Sequence, residues 1–224
     1  MKYIHITFLL FFIGCSSSLP DESLPLADHL KIGMDFLDQG KFVKAQDEFK
    51  FILSRGTGTD YGDDAQFFLA EAYFLNEQYI LSIQEYENLT RKMAFSPFFE
   101  KARFRICEAY RIESPNYYND QSYTEKALQR YREFLDDFPE SEHSKTVSES
   151  MSVLRNKLAK KLYETGIIYI KMDEFEPARM SFNQVLDLYS DTEIIESVHY
   201  EVIKSYLKQG NEKKARSHFN IRLF

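Results

Sequence analysis

The chain has 224 residues, with 28 Lys and Arg against 35 Asp and Glu, so its formal net charge is −7 at pH 7. Proteins bind nucleic acid mainly through clustered Lys and Arg, so this acidic balance argues against a nucleic-acid partner. The sequence contains 15 Tyr, 20 Phe and no Trp, which is ample material for a packed aromatic core.

The first 14 residues have the features of a cleaved secretory signal. Lys2 precedes an apolar run that ends at Gly14, and this run is about half of the ~20 residues that a membrane-spanning helix needs. The string Phe12-Ile13-Gly14-Cys15 resembles the bacterial lipobox, whose cysteine is lipidated and becomes the mature N-terminus. We therefore predict that Cys15 is lipidated and begins a flexible linker over residues 15–25. The alternative is a simple cleaved signal that happens to contain a cysteine.

Five copies of one pattern follow the linker. Each copy has a small residue with an aromatic residue three positions later, then a loop, a second small residue and an aromatic residue four positions beyond it. The five sets are Gly33, Phe36, Ala45 and Phe49; Ala70, Tyr73, Ser82 and Tyr86; Cys107, Tyr110, Ala127 and Tyr131; Gly166, Tyr169, Ala178 and Phe182; and Ile203, Tyr206, Ala215 and Phe219. This spacing is typical of the tetratricopeptide repeat, in which small residues let two helices approach closely. The sequence therefore predicts an all-α superhelical solenoid of five repeats with almost no β structure.

The middle of the predicted solenoid is longer than its ends, because the second small residues lie 37, 45, 51 and 37 residues apart. Part of the excess is the loop RIESPNYYNDQSY after Tyr110, which is either a partner-contact loop or a tolerated insertion. The rest is a polar run from residue 141 to residue 170, which predicts a long helix. This helix separates an N-terminal three-repeat half, residues 26–140, from a C-terminal part, residues 141–224, that contains it and the last two repeats.

Three strings, together with the lipobox and the repeats, resemble the BamD family, the lipoproteins of the outer-membrane β-barrel assembly machinery. They are Leu154-Arg155-x-x-Leu158-Ala159-Lys160-x-x-Tyr163, Phe138-Pro139-x-Ser141 and Tyr189-Ser190-Asp191-Thr192. The resemblance covers roughly residues 28–220. It implies an outer-membrane lipoprotein on the periplasmic side. Its C-terminal half is expected to bind the POTRA domains of the barrel-forming subunit, and its N-terminal half to bind unfolded outer-membrane proteins by their C-terminal aromatic-ended strand. The alternative is a repeat lipoprotein that scaffolds another envelope complex, such as one for cell-wall maintenance.

No group of residues points to catalysis or to a cofactor. The five histidines have no metal-ligand spacing, so no metal site is predicted. The carboxylates of the string DYGDD, residues 60–64, are expected to cap the next helix, because acidic side chains favour helix N-termini; the alternative is a cation site. Cys107 occupies a small-residue packing position rather than a reactive one. We therefore expect a binding protein and not an enzyme.

Peptide binding is expected on the face that the first helices of the repeats form together. The repeat register places apolar side chains with a few charged neighbours on this face, and such a groove suits an extended peptide with aromatic side chains. For any one of the phenylalanines, packing against a neighbouring helix is an equally good alternative. In the N-terminal half, the predicted groove residues are Leu30, Met34, Phe67, Phe74, Phe104 and Arg111.

A second surface is predicted at the C-terminal end, where charged residues gather around the turns of the fourth and fifth repeats. A partner there meets both turns without touching the groove, and charge complementarity mainly speeds and orients such an encounter. Given the resemblance, we predict that this surface docks the barrel-forming subunit. The alternative for each residue is a solvated charge. The cationic members are Lys171, Arg179, Lys208, Lys213, Lys214 and Arg216.

Overall fold

The computed structural model describes residues 20–222, so the predicted signal segment and Cys15 lie outside the described residues. Within this part the chain forms ten α-helices and no strand. They are α1 (Leu26–Asp38), α2 (Phe42–Ser54), α3 (Gly62–Leu75), α4 (Tyr79–Lys92), α5 (Phe99–Glu113), α6 (Ser122–Asp137), α7 (Ser144–Lys171), α8 (Phe175–Leu188), α9 (Ile195–Lys208) and α10 (Glu212–Arg222). Each helix packs against the next one along the chain. The predicted all-α tetratricopeptide solenoid is confirmed, with five successive helical hairpins.

The small residues of the repeats allow the two helices of a hairpin to pack closely. A Cβ atom added to Gly33 in α1 would lie 2.5 Å from Cε1 of Phe49 in α2. Gly166 in α7 meets the ring of Phe182 in α8 in the same way. Both phenylalanines are fully buried. The ring of the second helix therefore occupies the space that a side chain on the first helix would need.

The core runs along the whole stack of hairpins as a series of aromatic clusters. In the second and third repeats the fully buried rings include Tyr86 and Tyr131. Tyr86 clusters with residues of α3 and α5, and Tyr131 with residues of α5 and α7. Each cluster thus joins one hairpin to the first helix of the next. Because every hairpin buries its apolar face on its neighbours, stability depends on stacking.

The long helix predicted over residues 141–170 is present as α7, which has 28 residues. Its lysines hold the loop of residues 114–121, which joins α5 to α6. Lys157 Nζ donates hydrogen bonds to the carbonyl oxygen and Oγ of Ser114, at 3.2 and 2.7 Å. Lys161 Nζ donates to the carbonyl oxygen of Asn119 at 2.6 Å. This loop therefore lies against α7.

Alternating helix directions divide the connections between two edges of the solenoid. The loops between hairpins, residues 55–61, 93–98, 138–143 and 189–194, share one edge with the start of α1, which we call the entry edge. The connections within hairpins, including residues 114–121, lie at the opposite edge, which we call the turn edge. Of the predicted capping acids, Asp63 and Asp64 lie in the first turn of α3 and belong to the entry edge, whereas Asp60 lies in the preceding loop and no side chain of the described residues makes a cap hydrogen bond to α3. None of the described helices is long and apolar enough to cross a membrane.

Candidate peptide-binding surface

The first helices α3 and α5 are joined by a partly buried ion pair. Glu71 of α3, which is 8% exposed, accepts hydrogen bonds from Nε and one terminal nitrogen of Arg105 of α5, at 2.8 and 2.9 Å. The hydroxyl of Tyr86 also donates to Glu71. The Arg105 guanidinium lies 4.7 Å from the centre of the Phe74 ring. Bidentate contacts of this kind fix the orientation of both side chains.

The contact between a largely buried acid and a tyrosine recurs one repeat later, where the arginine lies on the same helix as the acid. Glu108 of α5 accepts hydrogen bonds from Arg111 at 2.7 to 3.1 Å and from the Tyr131 hydroxyl. Burial disfavours the ionised carboxyl, but the hydrogen bonds from Arg111 and Tyr131 outweigh it and lower the pKa of Glu108. The hydrogen bond to Glu108 raises the pKa of Arg111. Both side chains are therefore charged at neutral pH.

An opening of about 240 Å³ lies between α5 and α7, beside this pair. Arg111 and Lys157 line it together with Val153, whose side chain is 64% exposed. Burial, and then the charge of Arg111, lower the pKa of Lys157, so a negative charge placed here would relieve the repulsion between the two cations. The complete lining is Arg111, Thr146, Glu149, Ser150, Val153, Leu154 and Lys157. Two cations beside an apolar side chain suit a carboxylate next to an apolar residue.

The structure separates the predicted groove residues into open and packed positions. Met34 of α1 is 40% exposed, and Arg111 borders the opening. Leu30 is half-buried against the core of the first two hairpins. Phe74 is half-buried and makes a T-shaped contact with Tyr79, with 5.3 Å between the ring centres. The open positions thus lie at Met34 and Arg111.

Phe67 and Phe104 occupy equivalent positions and pack against the residue that precedes the next hairpin. The ring of Phe67 is 1% exposed and stacks on Phe98, just before α5, at 4.4 Å. The ring of Phe104 is half-buried and stacks on His143, just before α7, at 4.0 Å. The Phe67 ring therefore belongs to the core and is not accessible to a peptide, because the neighbouring hairpin covers it. This is the packing alternative that the sequence left open. The sequence contains a signal for this packing, because an aromatic residue stands directly before α5 and directly before α7.

The predicted C-terminal surface contains a cluster of cations around one ring. Arg179 lies 4.3 Å and Lys214 5.9 Å from the centre of the Tyr206 ring. The other four side chains are Lys171, Lys208, Lys213 and Arg216, and all are exposed. Arg216 also lines an opening of about 390 Å³ between α9 and α10. Its apolar lining includes Leu207 and Phe219, which are 53% and 47% exposed.

One side-chain pair in the C-terminal hairpin has no signal in the sequence pattern. Nδ1 of His199 in α9 lies 3.0 Å from Nε2 of His218 in α10. The two residues are 19 positions apart, and the hairpin brings them together. Burial lowers the pKa of both histidines, and the charge of His199 lowers that of His218 further. In residues 20–222 no three metal-binding side chains gather into a group that would hold a metal ion.

The chain matches a known protein family. The sequence profile of the family described as "Outer membrane lipoprotein", YfiO, matches residues 26–221. The chain belongs to this family. It is similar to the outer membrane protein assembly factor BamD of Rickettsia prowazekii, with 24% identity over 93% of this chain and 84% of the relative. It is also similar to the BamD protein of Caulobacter vibrioides, with 22% identity over 91% of this chain and 68% of the relative. Both relatives of this family are thus BamD assembly factors.

Solved structures resemble this family member more distantly. A tetratricopeptide-repeat protein from Parabacteroides merdae aligns with a TM-score of 0.42 and 14% identity, over 87% of this chain and 77% of that chain. A MamA chain from Desulfovibrio magneticus aligns with a TM-score of 0.41 and 13% identity, over 87% and 91% of the two chains.

Proposed function

We propose that this chain is a non-enzymatic scaffold of the outer-membrane β-barrel assembly machinery, anchored by a lipid on Cys15 and lying on the periplasmic side. Membership of an outer-membrane lipoprotein family supports its association with the outer membrane and a role in outer-membrane protein assembly. In this proposal the first three repeats bind the C-terminal aromatic-ended segment of unfolded barrel proteins. The last two repeats dock the POTRA domains of the barrel-forming subunit.

The observation that carries the peptide-binding part is the pair of cations in the opening between α5 and α7. Arg111 and Lys157 face the same space as Val153, so a terminal carboxylate meets charge while the last apolar side chain meets a hydrocarbon surface. Glu108 holds the Arg111 guanidinium in place before a ligand arrives. A preorganised side chain loses less conformational entropy on binding.

The test is the affinity of a labelled peptide that ends in phenylalanine with a free carboxylate, measured by fluorescence anisotropy. A hydrogen bond to a charged group contributes about 1.5–3 kcal/mol. The Arg111 side chain is 38% exposed, so we discount this to about 1 kcal/mol, which corresponds to a roughly fivefold loss of affinity. We expect this loss for Arg111→Gln, with circular dichroism unchanged. Lys157→Gln is expected to act in the same direction.

Two controls separate carboxylate recognition from general charge effects. Arg132→Gln removes an exposed arginine from the second helix α6 and should leave the affinity unchanged. The same peptide with an amidated C-terminus should bind more weakly to the unmodified chain and should be insensitive to Arg111→Gln. Equal binding of the amidated and free-acid peptides would show that this opening does not recognise a carboxylate.

A further inference from the structure

The loop between α4 and α5 presents an aromatic ring to solvent. Phe95 is fully exposed, at 103% of its reference area. Arg91 and Lys92, in the last turn of α4, are exposed beside it. Residues 91–97, which we call the α4–α5 tip, contain no acidic residue, although the chain as a whole has a net charge of −7. The tip therefore combines an apolar ring with local positive charge.

The tip is held by hydrogen bonds and by packing, so the exposure of Phe95 follows from an ordered backbone. The Ser96 hydroxyl donates to Asp63 at 2.9 Å and accepts from the backbone N–H of Phe98 at 3.2 Å. The backbone N–H of Ser96 donates to the carbonyl oxygen of Met93 at 3.0 Å. Phe98, at the base of the tip, stacks on the buried Phe67 ring. The fold thus directs Phe95 outward while it buries the neighbouring aromatic residue.

The tip lies on the edge from which the chain leads back to Cys15. Glu22 lies near the start of the described residues. Its carboxylate Oε2 is 3.4 Å from Nη2 of Arg55, which follows α2 on the entry edge. Pro20 lies five positions after Cys15, and a chain segment of that length spans at most about 18 Å. A lipid on Cys15 therefore keeps the part of the entry edge around Glu22 and Arg55 within reach of the bilayer surface.

We infer that the α4–α5 tip contacts an anionic phospholipid surface, with Phe95 inserted among the head groups and with Arg91 and Lys92 against the phosphates. The inference rests on the lipid anchor of the proposed function. The tether raises the local concentration of the tip at the membrane, so a weak contact is sufficient. Its role is then to orient the solenoid rather than to recruit it.

Acidic residues on the other loops of the entry edge restrict the proposed membrane contact to the α4–α5 tip. The other loops at this edge carry the acidic residues Asp60, Glu140, Glu142, Asp191 and Glu193, which anionic lipids repel. The α4–α5 tip itself contains no acidic residue, and the nearest carboxylate, that of Asp63 in α3, accepts a hydrogen bond from Ser96 of the tip. The tip displays a phenylalanine, a side chain that interfacial segments bury at the boundary between head groups and acyl chains. Cationic side chains near an anionic leaflet add to the attraction.

Tryptophan fluorescence tests this contact, because the chain has no native Trp. A chain that begins at Cys15 is coupled through that thiol to a maleimide lipid in phosphatidylcholine vesicles, with or without phosphatidylglycerol. Cys107 does not compete, since it is 1% exposed and burial raises the pKa of its thiol to about 12. Phe95→Trp places the reporter at the tip. Tyr118→Trp is the matched control, because Tyr118 is 67% exposed and lies on the turn edge.

On vesicles that contain phosphatidylglycerol, we expect the Phe95→Trp emission to shift to shorter wavelength and to be quenched by brominated acyl chains. The Tyr118→Trp emission should not change. Adding Arg91→Gln and Lys92→Gln should reduce the quenching several-fold. An unquenched Phe95→Trp chain, or equal quenching at both positions, would overturn the inference. Equal quenching on neutral vesicles would also overturn it, because the proposed surface is anionic.

This experiment distinguishes failure of the tip contact from failure of the proposed function. The chemical tether replaces the acyl chains, so the result does not depend on whether cells lipidate Cys15. Lipidation is tested separately by palmitate labelling of the unmodified chain and of Cys15→Ala.

Discussion

A methyl group at Gly33 tests the packing that defines each hairpin. In Gly33→Ala the new Cβ would lie 2.5 Å from Cε1 of Phe49, and two more atoms of that ring lie within 3.0 Å. Phe49 is fully buried among residues that include Ile52 and Leu69, so its ring has no open space to enter. Overpacking of a core typically costs about 1–3 kcal/mol. Replacing Gly by Ala inside a helix recovers about 1 kcal/mol.

The expected net effect is therefore a loss of up to about 2 kcal/mol in the free energy of unfolding, seen as a lower urea midpoint by circular dichroism. Gly58→Ala is the control, because no atom lies within 4 Å of its added Cβ, and surface changes of this kind usually stay within about 0.5 kcal/mol. A second change, Phe49→Leu, should cost less in the Gly33→Ala background than alone, because it removes the clash. The packing argument would be refuted by a Gly33→Ala chain more stable than the Gly58→Ala chain, or by a Phe49→Leu change that costs as much in the Gly33→Ala background as alone.

Two further predictions concern the C-terminal hairpin. The pKa of His199 and that of His218 are lowered by burial, so the unfolded chain binds protons more tightly than the folded chain. Their contribution to stability is complete above the unfolded pKa of about 6.5 and is lost as the pH falls from there through the lower pKa values of the folded state. The urea midpoint should accordingly fall on acidification to about pH 5, and less so in His218→Gln; an equal fall in both chains would contradict the assignment. For docking, a double charge reversal at exposed lysines, Lys208→Glu with Lys213→Glu, should weaken co-purification with POTRA domains at low salt. The control is the double charge reversal Lys31→Glu with Lys50→Glu at exposed lysines of the first hairpin, which should not weaken it. If both double variants retain the partner equally, the interface lies elsewhere.

The docking test needs the full chain, because the long helix of the C-terminal part also packs into the third repeat of the N-terminal half. Leu154 and Leu158 of α7 are buried in the cluster around Tyr131 of the third repeat. Lys157 and Lys161 of the same helix hold the loop of residues 114–121. A fragment that ended before Leu154 would therefore lose part of the core of its own third repeat. The division into two halves at residue 140 stays a prediction, and the packing of α7 connects the two sides of that boundary.

The helices and their pairing were predictable because their signals are local. A small residue and an aromatic residue recur at fixed spacing in each repeat, and the same spacing brings Gly33 against Phe49 and Gly166 against Phe182. Acidic residues at a helix start, such as Asp63 and Asp64, are likewise a local feature. Periodicity within one helical hairpin is thus sufficient to specify the hairpin and its repetition.

Which side of a first helix stays open was decided by tertiary structure. Phe67 and Arg111 were both assigned to the groove by register, yet the next hairpin covers Phe67 through Phe98, whereas Arg111 borders an opening completed by α7. The meeting of His199 with His218 depends in the same way on how two helices pack. The local sequence determined the helices and the hairpin repeat. The exposure of Phe95 and the pairing of distant side chains depend on neighbouring hairpins, because burial is a property of the whole stack.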